Sequence, residues 1–150
     1  MDLCALEFSP IEMDGNSRVP TNPLSSIGQS VCVATAKLYA KAGFEEPWLG
    51  YLALQSGKAV GSCGFKSPPK NGKVEIAYFS FPEHEGRGLA THMAQHLVAI
   101  ARNHTAATTV TAQTLKERNA SHRVLEKLGF QPVEVIENSK AGPVLVWHLA

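Results

Sequence analysis

The stretch that most restricts what this chain can become is Pro82-Glu83-His84-Glu85-Gly86-Arg87-Gly88-Leu89-Ala90-Thr91. It follows a strand-like run over 74–81 and precedes a helical pattern over 89–103, so it marks a strand-to-helix junction with two glycines in the turn. The first N–H groups of a helix have no partner inside it, and the aligned peptide dipoles add partial positive charge there. An anion is stabilised at such a place without any dedicated side chain, and Gly86 and Gly88 let the backbone come close to it. The junction reads as a phosphate cradle.

Spacing separates the known cradles. A Walker A loop ends in Gly-Lys-Ser/Thr, whereas Gly88 is followed by Leu89-Ala90. A dinucleotide fold needs a third small residue where this chain has Thr91, and its strand lies near the start of a βαβ unit. Glu85-Gly86-Arg87-Gly88-Leu89-Ala90 instead resembles the pyrophosphate loop Gln/Arg-x-x-Gly-x-Gly/Ala of the Gcn5-related N-acetyltransferases at every position but the first. Downstream, Ala120-Ser121-His122-Arg123-Val124-Leu125-Glu126-Lys127-Leu128-Gly129-Phe130 is similar to the last helix of the branch that acetylates protein N-termini, the ribosomal-protein alanine and serine acetyltransferases. The two stretches occur in the family's order.

The periodicities give a matching order of elements. A short strand is expected over 5–11, a polar loop over 14–26, and a helix on the stripe Val31, Ala34, Leu38 and Ala42 with Gly43 as its stop. Strands over 48–55 and 59–65 join through Ser56-Gly57, and Asn71-Gly72 turns the chain into the strand over 74–81, apolar on both faces and hence central. After the glycine turn come a helix on Leu89, Met93, Leu97 and Ile100, a strand over 108–115, a helix over 119–128, and a closing strand pair over 130–137 and 144–149. The resemblance implies an α/β fold of the acyl-CoA N-acyltransferase type: a mixed central sheet with splayed fourth and fifth strands and helices on both faces. At 150 residues with 44% apolar content, one domain over 1–150 is expected.

Composition excludes several partners. Net charge is +1 with no basic run, which argues against a nucleic-acid surface. Cys4, Cys32 and Cys63 lack paired spacing, and His92 and His96, four apart, have no third ligand, so neither a disulfide framework nor a metal is expected. The start Met1-Asp2-Leu3-Cys4 is unlike a signal peptide and no segment has the length of a membrane span, giving the expectation of a cytoplasmic protein with reduced thiols. Oligomeric state, a homodimer included, stays open.

The resemblance implies acetyl-CoA as cosubstrate and a primary amine as acceptor, attacked directly without a covalent enzyme intermediate. It places the coenzyme A pyrophosphate on Glu85, Gly86, Arg87, Gly88, Leu89, Ala90 and Thr91, and the pantetheine arm on strand-four backbone near Ser80 and Phe81, with Asn119 as a further contact or a helix cap. Acetyl transfer needs a neutral amine, a proton acceptor and a group to serve the departing thiolate. Glu75 shares a strand face with Ala77, Phe79 and Phe81, so its carboxylate is expected in apolar surroundings, as a base or as a structural partner of a cation. Ser121 falls on the stripe of Val124, Leu125 and Leu128, and matches a serine proposed in the N-terminal-acetylating branch to serve the thiolate. Leu125 stands where many acetyltransferases carry the acidic tyrosine. That departure keeps a rival open, a non-catalytic acyl-CoA-binding module, beside the question of peptide against small-amine acceptors. Trp48, Tyr51 and Phe65 are either acceptor-pocket or core aromatics.

Overall fold

The computed structural model describes residues 6–104, 109–140 and 142–150; the expectations for Cys4, for a strand start at Ala5 and for Thr108 lie outside them. Local chemistry sets the boundaries of the elements. Strand β1 is Glu7–Pro10, and helix α1, Ser26–Ala42, begins where the Ser25 hydroxyl accepts from Gly28 N at 3.1 Å and ends at Gly43, φ 106°. Strands β2 (Gly50–Gln55) and β3 (Lys58–Phe65) turn through Ser56 and Gly57 at φ 52° and 82°, and β3 leads to β4 (Lys73–Ser80) through Asn71 and Gly72 at φ 53° and 75°. Two consecutive left-handed residues give the tight turn whose twist matches that of the strands. A short 3₁₀ turn, Pro82–His84, precedes α2 (Leu89–Arg102), then β5 (Thr109–Leu115), α3 (Ala120–Lys127), β6 (Gln131–Asn138) and β7 (Gly142–Leu149).

The seven strands form one sheet in the order β1-β2-β3-β4-β5-β7-β6. All neighbours are antiparallel except β4 and β5, which the α2 crossover makes parallel. That parallel pairing covers only Lys73 to Glu75 against Thr109 to Thr111. Beyond Glu75, β4 keeps its β3 partner and parts from β5, which is the splay the family resemblance implied.

Helices cover both faces. A Cβ on Gly50 would lie 2.8 Å from Thr35 Cγ2 of α1, and one on Gly61, which faces the other way, would lie 3.1 Å from the Met93 side chain of α2. The larger core packs Tyr51, Cys63, Phe65 and Ile76 against Leu89, Met93 and Leu97 and continues to Leu125, Phe130 and Trp147. A smaller one of Ile11, Cys32, Leu52 and Leu54 lies under α1.

β4 is central, the fourth of the seven strands, as its apolar pattern predicts, but it is not covered along its whole length. Val74 and Ile76 are buried, but on the α1 side Ala77 is exposed and Phe79 is 42% exposed. The helix lies over β2 and β3 and leaves the far half of β4 uncovered. Trp48, Tyr51 and Phe65 are core residues, with Trp48 and Phe65 edge to face at 5.0 Å.

Candidate active site

The cradle forms as its glycines predict. Gly86 and Gly88 sit at φ 77° and 78°, where a side chain is strained, and a Cβ on either would meet nothing within 4 Å, so the side facing away from the fold is open. Gly88 caps α2, and the first bond inside the helix is His92 N to Gly88 O at 3.3 Å, leaving the N–H groups of Leu89, Ala90 and Thr91 aimed outward. A cavity of about 270 Å³ opens there, between Ser80, Gly86, Gly88, Ala90 and Thr91 on one side and Arg123 and Lys127 of α3 on the other. These two cations, four residues apart on one helix face, were not singled out from the sequence. Their spacing was visible; that α3 turns that face toward the start of α2 was not. The open cradle, its free N–H groups and two facing cations fit a pyrophosphate.

Arg87 is occupied elsewhere. Its guanidinium donates to Gln55 Oε1 at 2.5 Å and lies 2.8 Å from His84 Nδ1, tying the turn back to β2. Burial, with Lys58 and Arg87 adding to it, lowers the His84 pKa and so favours the neutral ring that can accept from Arg87. Glu85 is exposed at the rim of the splay.

The splay itself is a cleft of about 390 Å³ between β4 and α3, with Tyr78, Ser80, Glu85, Ala90, Ser121 and Val124 among its walls. Peptide groups alternate along a strand, so only every second residue of β4 addresses it. Lys66 N donates to Glu75 O at 2.9 Å and Phe81 N to Val60 O at 3.0 Å, so odd-numbered positions face β3. Tyr78 and Ser80, past the last pair with β5, therefore present their N–H and C=O groups to the splay. Ser80 is where the resemblance put it. Phe81 is not: its N–H is taken by β3, and its side chain lines a separate cavity with Pro23, Leu24 and Ile27.

Three residues fix the start of α3. Asn119 accepts from Ser121 N at 2.9 Å and His122 N at 3.4 Å, which makes it the helix cap. The buried His122 ring lies 2.9 Å from Leu115 O and 3.2 Å from Thr114 Oγ1, which also accepts from Trp147 Nε1 at 3.0 Å. That network locks α3 to β5 and β7 and so holds Ser121, half-buried, at the wall of the cleft. Across from it stands Tyr78, whose phenol pKa is raised by burial while a side-chain hydrogen bond with Ser121 works against the rise.

Glu75 has the cation partner that one of its two readings expected. Its side chain is partly exposed but its Oε2 is buried, and Lys66 Nζ stands 2.8 Å from that oxygen, an ion pair whose angles fall outside those of a hydrogen bond. Lys66, with Thr35, Leu38, Ser62, Ala77 and Phe79, lines a second cavity of about 180 Å³ on the α1 side of β4. Tyr78 and Phe79 belong to the walls of both cavities, so the two border the same stretch of the splayed strand.

The family profile described as "Acetyltransferase (GNAT) domain" matches residues 19–131, three quarters of the chain. The chain belongs to the GNAT acetyltransferases. Among curated proteins, the uncharacterized N-acetyltransferase YjdG of Bacillus subtilis is 33% identical over 72 residues, 47% of this chain and 43% of that relative, so the match spans less than half the relative's length. Among solved structures, a GNAT-family protein of Desulfovibrio desulfuricans aligns with a TM-score of 0.67 over 97% of this chain and 98% of its own, at 16% identity. RimL, a ribosomal L7/L12 alpha-N-protein acetyltransferase in complex with coenzyme A, aligns with a TM-score of 0.65 over 82% of this chain and 71% of its own, at 14% identity. In this GNAT chain the place of the family's usual acidic tyrosine is held by Leu125, fully buried in the core. Among the described residues there is no cluster of three or more His, Cys, Asp or Glu able to hold a metal, and no helix long and apolar enough to cross a membrane.

Proposed function

We propose that this GNAT domain is an acetyl-CoA-dependent N-acetyltransferase acting on the α-amine of a protein N-terminus. The observation that carries the reading is that two cavities share Tyr78 and Phe79 in their walls: the splay, which adjoins the phosphate cradle, and the cavity on the far side of β4. A thioester entering from one side and an amine from the other would be brought together there, which supplies the proximity such a transfer needs. Bound acetyl-CoA supplies the acetyl group as a thioester; the chain would hold its pyrophosphate on the Gly86 to Thr91 backbone with Arg123 and Lys127, and its arm on the splay-facing peptide groups of Tyr78 and Ser80.

The second cavity supports an acceptor with a single cationic centre. Its walls carry no carboxylate, and its one charge, Lys66, is positive and held by Glu75. A polyamine or aminoglycoside keeps several ammonium groups and finds no partners there, whereas a peptide presents one amine beside a side chain that Leu38, Ala77 and Phe79 can cover. Glu75, two residues before Ala77 on the same strand face, is the carboxylate of β4 and is read as the acceptor of the amine proton, reached through a water. Free, buried Cys32 and Cys63 suit a reducing compartment, and we place the protein in the cytoplasm.

The rival is an acyl-CoA-binding module without turnover, favoured by Leu125. Thiol release from acetyl-CoA, measured across short peptides, amino acids and polycationic amines, separates the two. Release with peptides above the rest is expected, and Glu75→Gln should lower that rate roughly 10²-fold with coenzyme A affinity kept. Tight coenzyme A binding with no thiol release from any amine would establish the module instead.

A further inference from the structure

The chemistry that Leu125 removes from α3 has a replacement on the facing strand. We infer that Tyr78 is the proton donor to the departing thiolate, with Ser121 behind it as a positioning residue; this rests on the acetyltransferase reading above. Four observations converge on the phenol. Tyr78 stands on β4 beyond Glu75, in the stretch that has parted from β5, so its surroundings are the cleft rather than a neighbouring strand. Its side chain lies on the same strand face as the buried Val74 and Ile76, toward α2 and α3, and is half-buried there. It lines the splay together with Ser121, and the same stretch of β4 also borders the second cavity through Phe79, so the phenol stands in the cleft beside the strand segment that both cavities share. Its hydroxyl has Ser121 as hydrogen-bond partner.

A side-chain hydrogen bond with Ser121 works against the rise in the phenol pKa, and between two hydroxyls either can donate. Where Ser121 donates, the phenol's own O–H is left for the cleft. Burial acts more strongly and in the opposite sense, keeping the phenol protonated, as an acid must be before it acts. No other described residue in the wall of the splay offers both properties: Ser80 and Ser121 are weaker acids, and Glu85 is exposed at the rim.

The step balances. As the amine nitrogen bonds to the acetyl carbon, the carbon–sulfur bond breaks and its electron pair leaves on sulfur, which takes the proton from Tyr78 Oη. The proton that the amine loses, held first on the Glu75 side of β4, returns through water to the phenolate. The products are the amide and the free thiol, and the chain ends as it began.

Tyr78→Phe keeps the ring and removes only the hydroxyl. It should lower kcat for acetyl transfer to a peptide roughly 10²-fold, with the KM for acetyl-CoA and for the peptide little changed. Ser121→Ala should lower kcat less, and the double variant should be no slower than Tyr78→Phe alone, because the serine acts through the phenol. A readout independent of any acceptor is the pKa of the sulfhydryl of bound coenzyme A, followed by thiolate absorbance. A hydrogen bond from Tyr78 stabilises the thiolate, so this pKa should rise in Tyr78→Phe and stay unchanged in Leu125→Met. An unmoved thiol pKa in Tyr78→Phe overturns the inference, as does a kcat within twofold of the parent. If no amine is ever acetylated, the functional reading fails by itself, and the thiol titration still decides whether Tyr78 faces the sulfur.

Discussion

Arg123 and Lys127 show how much of the site rests on charge that no single motif announces. Both are exposed, so their attraction for a diphosphate acts in high dielectric and is screened by salt, unlike the fixed N–H groups of α2 on the opposite wall. Each is expected to add about one charge-assisted hydrogen bond, ~1.5 kcal/mol, equal to about tenfold in affinity. Arg123→Ala and Lys127→Ala should therefore each weaken coenzyme A binding about tenfold at low salt and by less as salt is raised, in calorimetric titrations. Arg87→Ala provides the contrast. Its guanidinium is held by Gln55 and His84, so its loss should loosen the turn and lower thermal stability before it affects the salt dependence of binding. Equal salt slopes for the parent and the Lys127→Ala protein would remove Lys127 from the phosphate site.

Between elements, two glycines that look alike in the sequence do different work. A Cβ on Gly88 meets nothing but sits at φ 78°, so Gly88→Ala costs about 1–2 kcal/mol of backbone strain and places a methyl group at the mouth of the cradle. A Cβ on Gly64 would lie 2.7 Å from Gly50 Cα and 2.9 Å from Leu49 O, both backbone, so β2 and β3 must part to admit it. Gly64→Ala should lower the melting temperature while folded molecules keep their coenzyme A affinity; Gly88→Ala should weaken that affinity about tenfold, ~1.4 kcal/mol, with a smaller effect on melting. Coenzyme A affinity unchanged in Gly88→Ala would show that the cradle is not the phosphate site. This contrast also marks what was legible beforehand. The cradle is a local object, two glycines between a strand and a helix, and its conformation follows from the residues that form it. Glu75 and Phe81 are different, because alternation along β4 says which residues share a face and says nothing of which face α1 covers or which peptide groups β3 already uses. Tyr78 escaped notice for the same reason: its partner Ser121 is 43 positions away, and only the parting of β4 from β5 brings the two together.

At the scale of the whole molecule, the splay divides the sheet into a half carrying β1 to β4 and a half carrying β5, β7 and β6, joined by three residue pairs of β4 and β5 and by the packing of α2 and α3. A ligand lying in the cleft touches both halves, so its binding energy resists their separation as well as unfolding. Coenzyme A at about 100 times its dissociation constant should add ~2.7 kcal/mol to stability, a rise of about 5–10 °C in melting temperature for a chain of this size. Hydrogen exchange resolves where that energy acts. Along β4 the amides of Ala77 and Phe79 face β3 and should already exchange slowly without ligand, whereas those of Tyr78 and Ser80 face the splay and should slow only when coenzyme A is added. Protection should appear in the same titration at Ala90 and Thr91, whose amides precede the first bond inside α2. Uniform slowing of odd and even positions would indicate global stabilisation alone, and slowing confined to Ala90 and Thr91 would mean that the pyrophosphate binds while the pantetheine arm lies outside the splay, taking the sulfur away from Tyr78.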